Sequence, residues 1–118
     1  MADAAVFIGW GQVARGRERQ ATETFNESAQ YWARLQQDGR IESFDVVLLV
    51  PHGGDLNGFV LLRGSGEQLD SVRREDEFIQ FVQRAGLVVD SVGVVPAYVG
   101  EGVARIMGLY QQSIAASS

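Results

Sequence analysis

A single histidine, His52, is the one side chain of this sequence suited by type to take up and return a proton near neutral pH. It stands in Pro51-His52-Gly53-Gly54-Asp55, with an acid three residues on. That composition is a connecting loop. His52 therefore reads either as an acid–base group or as a turn histidine facing water, and the loop favours the second. The chain has no cysteine, which removes thiolate chemistry and disulfides. No His or carboxylate positions gather at the spacing of a zinc site, so neither a metal nor a cofactor is expected. Arg15, Arg17 and Arg19 crowd a stretch where a phosphate could meet helix amides, but Glu18 interrupts them and no phosphate-loop glycine pattern follows. Trp10 and Trp32 have the type to line an aromatic pocket or to fill a core.

Hydrophobic periodicity supplies the elements that must position these groups. Ala4–Trp10 is a strand with Val6, Ile8 and Trp10 on one face and Ala5 and Phe7 on the other. The helical stretch that follows ends at Gly39. Ala21, Phe25, Ser28, Ala29, Trp32 and Leu35 fall on one stripe of it, opposite Glu23, Asn26, Glu27, Gln30, Arg34 and Gln37. Ile41–Val50 and Phe59–Arg63 are strands, and neither face is polar in Val46–Val50 or Phe59–Leu62. A second helical stretch opens on the capping box Ser65-Gly66-Glu67-Gln68 and stops at Gly86. Its apolar phase jumps between the pair Leu69 and Val72 and the set Phe78, Phe81, Val82 and Ala85. One straight helix cannot bury both, which predicts a break near Arg74–Asp76 with Asp76 capping a second short helix. Leu87–Val99 holds the last strand.

Aligned on Gly39 and Gly86, the two halves read as a weak internal duplication, strand-helix-strand twice over. Strands pairing across two such units give an α+β, ferredoxin-like βαββαβ sandwich over residues 4–100, with four antiparallel strands and two helices on one face. Two helices cover only that face. The apolar second face calls for another copy of the same sheet, hence a homodimer. In the extension 101–118, Val103, Ile106, Met107, Tyr110 and Ile114 share a stripe, predicting an appended amphipathic helix that needs a partner surface and frays over Ala115–Ser118.

At 118 residues the sequence is expected to form one domain. The net charge of −5 argues against a nucleic-acid partner. The RNA-recognition module shares the βαββαβ topology, but Val60, Leu61 and Leu62 offer aliphatic surface where that module needs exposed aromatics. No apolar run reaches the length of a membrane span and no basic leader opens the chain, so no membrane partner is expected and the cytoplasm is the default compartment.

From the first helix onward the chain resembles the YCII-like branch of the dimeric α+β barrel superfamily. The resemblance is carried by Tyr31-Trp32-Ala33-Arg34-Leu35, Asp38-Gly39-Arg40-Ile41, Asn57-Gly58-Phe59-Val60-Leu61-Leu62, Asp76-Glu77-Phe78, Ala85-Gly86-Leu87 and Val94-Val95-Pro96. It implies a homodimer with two sheets face to face and a pocket between sheet and helices in each subunit. For several members it also implies cofactor-independent chemistry on small aromatic or lactone-like molecules. The family's histidine, three residues before the position of Tyr31, is Ser28 here, and its acidic partner corresponds to Asp76. A serine cannot replace histidine as a general base near neutrality, which puts that acid–base chemistry in doubt. Trp10, Ser28, Trp32, His52 and Asp76 are thus the candidate ligand-binding residues, with no catalytic residue assigned. Two function classes stand: a small-molecule-binding protein, a degenerate cofactor-independent enzyme included, or a structural or regulatory homodimer without catalysis.

Overall fold

In the computed structural model, which describes residues 2–117, strand β1 (Ala4–Trp10) is central. It pairs antiparallel with β3 (Gly58–Gly64) on one side and β4 (Gly93–Tyr98) on the other, and β2 (Ser43–Leu48) extends the sheet beyond β3. The order β2-β3-β1-β4, with α1 (Glu18–Gln37), α2 (Gly66–Arg73) and α3 (Asp76–Val88) on one face, is the ferredoxin-like βαββαβ arrangement. A fourth helix, α4 (Glu101–Ser117), follows β4.

Strand alternation decides which side chains meet the helices. Val6 and Ile8 stand opposite Leu62 and Val60 in the β1–β3 register, and all four lie in the core beneath the helices. Trp32 of α1 sits at the centre of the helix layer. Its ring meets Tyr31 at 5.0 Å, Phe78 at 6.2 Å and Phe81 edge-on at 5.2 Å. Gly39 takes φ +73°, the left-handed conformation that closes α1 at little cost only for a residue without a β-carbon. The Ser65–Gln68 capping box forms in full, and the Gln68 amide also donates to the Gly39 carbonyl at 3.0 Å. The start of α2 is thereby fastened to the end of α1.

The helix break falls where the phase jump placed it, between Arg73 and Asp76. Its cap is a correction. Glu75, not Asp76, holds the N-cap position, and its carboxylate turns away to accept from Arg40 Nη1 at 2.5 Å. Asp76 is the first residue of α3. Gly86 is another correction, since α3 runs through it to Val88. Val88 is buried, which rewards the extra turn, so the second helical stretch does not end at the glycine on which the two halves were aligned, although strand-helix-strand does occur twice. Strand β2 is shorter than Ile41–Val50. Ile41 is buried in the turn before it and Val50 lies 82% exposed in the loop after it. Helix α4 continues through Ala115 to Ser117, whose hydroxyl donates to the Ser113 carbonyl, so the expected fraying is absent there; Ser118 lies outside the described residues.

Away from the helices, the sheet presents Phe7, Phe59, Leu61 and Val95, with the rings of Phe7 and Phe59 5.0 Å apart. This face is less uniformly apolar than the sequence implied, because Arg63 and Asp45 form an ion pair at one corner (3.1 Å). No helix among the described residues is long and apolar enough to cross a membrane.

Candidate functional site

The C-terminal half of β1, the N-terminal two-thirds of α1 and the last turns of α3 enclose a cavity of about 250 Å³ under the helix-covered face. Its end is fixed by backbone bonding. The Gly11 amide donates to the Asp90 carbonyl at 2.7 Å, the Ala14 amide to Val88 at 2.8 Å, and Val13 bridges Val89. These bonds clamp the segment after β1 to the segment after α3, so the apolar groups each carries are held against one another.

Three of the five candidate residues line this cavity: Trp10, Ser28 and Trp32. The indole of Trp10 lies over Gly58, where an added β-carbon would stand 2.8 Å from the ring, and it meets Phe25 edge-on at 6.3 Å. Trp32 and Phe81 form the deep wall. Ser28, 7% exposed, donates its hydroxyl proton to the Phe25 carbonyl at 2.6 Å. Its oxygen lone pairs remain, so towards a ligand it can only accept. None of the described residues lining the cavity carries an ionisable side chain. A charged ligand would lose its hydration there without a counter-charge, whereas a neutral apolar one would not.

His52 and Asp76 lie elsewhere. The His52 ring is used by its own loop: Nε2 is 2.8 Å from the Leu56 carbonyl and Nδ1 accepts from the Gly54 amide at 3.1 Å. Those two bonds fit the neutral tautomer with its proton on Nε2. Asp76 is exposed at the start of α3, away from the cavity. At the start of α1 the N-cap Arg17 makes no side-chain cap bond, and the Glu18 carboxylate accepts instead from the Gly16 amide in the preceding turn at 3.0 Å. No group of three His or carboxylate residues that could hold a metal ion occurs among the described residues.

Phe25 and Phe81 are cavity residues that the sequence marked only as members of apolar stripes. Val13, Val46 and Leu48 at the cavity's edge had no sequence signal as site residues, because Val13 is placed by the clamp and Val46 and Leu48 by the pairing of β2 with β3. Exposure of these three at the rim leaves the entrance apolar as well.

Tyr31 next to this site has a separate consequence. Burial first, then the carboxylates of Glu75 and Glu77, push its hydroxyl up to about 12. The folded chain therefore binds this proton more tightly than the unfolded chain. The stability it carries is complete below about pH 10 and is lost as pH rises towards 12, by at most about 2–3 kcal/mol. The buried hydroxyl has no hydrogen-bond partner among the described residues. Tyr31→Phe is therefore expected to be neutral, or stabilising by up to about 1 kcal/mol, in urea unfolding at pH 7, and to flatten the loss of stability at pH 11. A loss above about 1 kcal/mol at pH 7 would show that the hydroxyl does have a stabilising partner.

No family model matches the chain, and no curated protein matches its sequence. Solved structures share its fold. A hypothetical protein of Arabidopsis thaliana, known in solution, superposes with a TM-score of 0.62 at 13% identity, over 85% of this chain and 90% of the other. A dimeric protein of unknown function and ferredoxin-like fold from Bacteroides fragilis gives 0.59 at 11% identity, over 81% and 96%. SnoaB, a cofactor-independent oxygenase from Streptomyces nogalater, gives 0.54 at 16% identity, over 84% and 95%. At such identities the likeness is one of fold.

Proposed function

We propose that this protein binds a small, neutral, largely aromatic molecule in the cavity between β1, α1 and α3, as a homodimer joined through the helix-free face of its sheet. The observation that carries the reading is a preformed cavity with aromatic walls, a single buried hydroxyl acceptor at Ser28 and no ionisable lining residue. Trp10 and Trp32 supply stacking surface, and Ser28 orients a ligand that carries an O–H or N–H donor. With no side chain in the cavity able to take a proton near neutrality, the reading is one of binding, and any turnover would have to draw its reactivity from the bound molecule. The motif resemblance supports placing the chain in the YCII-like branch, with Ser28 at the family's histidine position inside the cavity. The dimer is supported by the apolar helix-free face and by the dimeric protein of the same fold from Bacteroides fragilis.

The test uses 1-naphthol, a neutral aromatic probe with one donor. Both tryptophans of the chain line the cavity, so binding is expected to quench their fluorescence saturably. Ala29→Phe, which fills the cavity from α1, should abolish the quenching. Ser28→Ala should weaken binding about 3- to 10-fold, the worth of one hydrogen bond. The anion 1-naphthoate should bind at least about tenfold more weakly than naphthol, for want of a counter-charge. Equal naphthol binding by the wild type and Ala29→Phe would place the site elsewhere, and no saturable quenching would favour the structural or regulatory homodimer.

A further inference from the structure

Of the four helices, α4 carries only two charged side chains, Glu101 and Arg105, in 17 residues, yet Gly102 is its only buried residue. Val103, Met107, Tyr110 and Ile114 recur at spacings of four, three and four, and each remains about half exposed, as does Leu109. Val103, Met107, Tyr110 and Ile114 form an exposed apolar stripe along one side of the helix, with Leu109 exposed on another side, surface of the kind that marks a contact on a folded chain. A lone helix of about this length, interrupted by Gly108, is marginal in water and needs a surface to lie on.

The root of α4 is pinned to the N-terminal segment of its own chain. Gly100 takes φ +53° with the Ala2 carbonyl close by, and a β-carbon at Gly102 would collide with the Asp3 carbonyl. The Val99 amide donates to that same Asp3 carbonyl at 3.3 Å. This clamp sets the direction in which the helix leaves the edge strand β4. The chain is accordingly drawn out, with a radius of gyration of 16.3 Å and a longest dimension of 55 Å, against about 13–14 Å expected for the radius of a compact chain of this length.

We infer that α4 is an exchanged arm whose apolar stripe lies on the partner subunit of a two-fold dimer. The inference rests on the proposed homodimer and adds an element to its interface. The occupant is a second copy because this chain leaves two apolar surfaces uncovered, the helix-free face and the arm, and they adjoin at β4, where Val95 belongs to the face and the arm starts past Tyr98. In an isologous pair each protomer contributes both, so one association covers all four surfaces. Two such stripes add an area comparable with a substantial part of the roughly 1,000 Å² that a specific interface needs.

The full-length chain tests this. Met107→Glu combined with Ile114→Glu changes only exposed positions, so the subunit fold is retained and the dimer dissociation constant, read by sedimentation equilibrium, should rise at least about 30-fold. Because the chain has no cysteine, Tyr110→Cys can carry a single benzophenone label. Irradiation should then produce a covalent species of twice 12.9 kDa. An unchanged dissociation constant in the double variant overturns the arm while leaving a sheet-face dimer standing. Cross-linking confined to the labelled chain also overturns it. A wild-type monomer at 100 μM overturns the arm and the proposed dimer together.

Discussion

Trp32→Ala is expected to destabilise the protein by about 3–5 kcal/mol, the cost of removing a large aromatic side chain from a packed interior and leaving a hole. Trp32 is 1% exposed and touches the rings of Tyr31, Phe78 and Phe81, so it joins α1 to α3 across the top of the sheet. For a chain of this size the melting temperature should fall on the order of 15 °C. Trp10→Ala makes the comparison informative. Trp10 is only half-buried, lies at the shallow side of the cavity and meets a single ring, so its removal should cost about 1–2 kcal/mol while weakening 1-naphthol binding severely. Equal melting temperatures for the two variants would show that Trp32 does not hold the helix layer together.

Leu61→Asp is expected to convert the proposed dimer into a monomer at micromolar concentration. Leu61 alternates with the core residues Val60 and Leu62 and stands opposite Phe7 in the register, so its side chain lies near the middle of the helix-free face. In a two-fold interface the substitution enters twice, each time setting a second carboxylate opposite Asp45, with Arg63 already paired to that residue, on a face the partner would desolvate. A loss of about 4 kcal/mol corresponds to roughly a thousandfold rise in the dissociation constant. Sedimentation should give a mass near 12.9 kDa for the variant and near twice that for the wild type, with unchanged circular dichroism, since Leu61 is not part of the subunit core. A Leu61→Asp protein that stays dimeric would place the interface elsewhere.

The sequence by itself determined the elements whose signals are local. The stripe of α1, the Gly39 stop, the Ser65–Gln68 capping box and the phase jump at Arg74 each depend on residues within a turn or two of one another, and each stands in the structure. The βαββαβ order and the two-sided apolar character of β1 and β3 followed from the same short-range patterns. Where local signals competed with long-range packing, packing decided. Asp76 is the better intrinsic cap, yet Glu75 holds the cap position while its carboxylate pairs with Arg40, which comes from the turn after α1. Gly86 marks a stop by composition, yet burying Val88 carried α3 past it. The site divides in the same way. Trp10, Ser28 and Trp32 could be nominated by residue type and helical angle, but their meeting around one cavity depends on backbone bonds between the segments after β1 and after α3. His52 has the chemistry of an acid–base group, but its ring satisfies the amide and carbonyl of its own tight loop and does not line that cavity. Periodicity records which face of an element is buried. Which buried faces meet, and which stay uncovered as on α4, is settled only when distant segments close on one another.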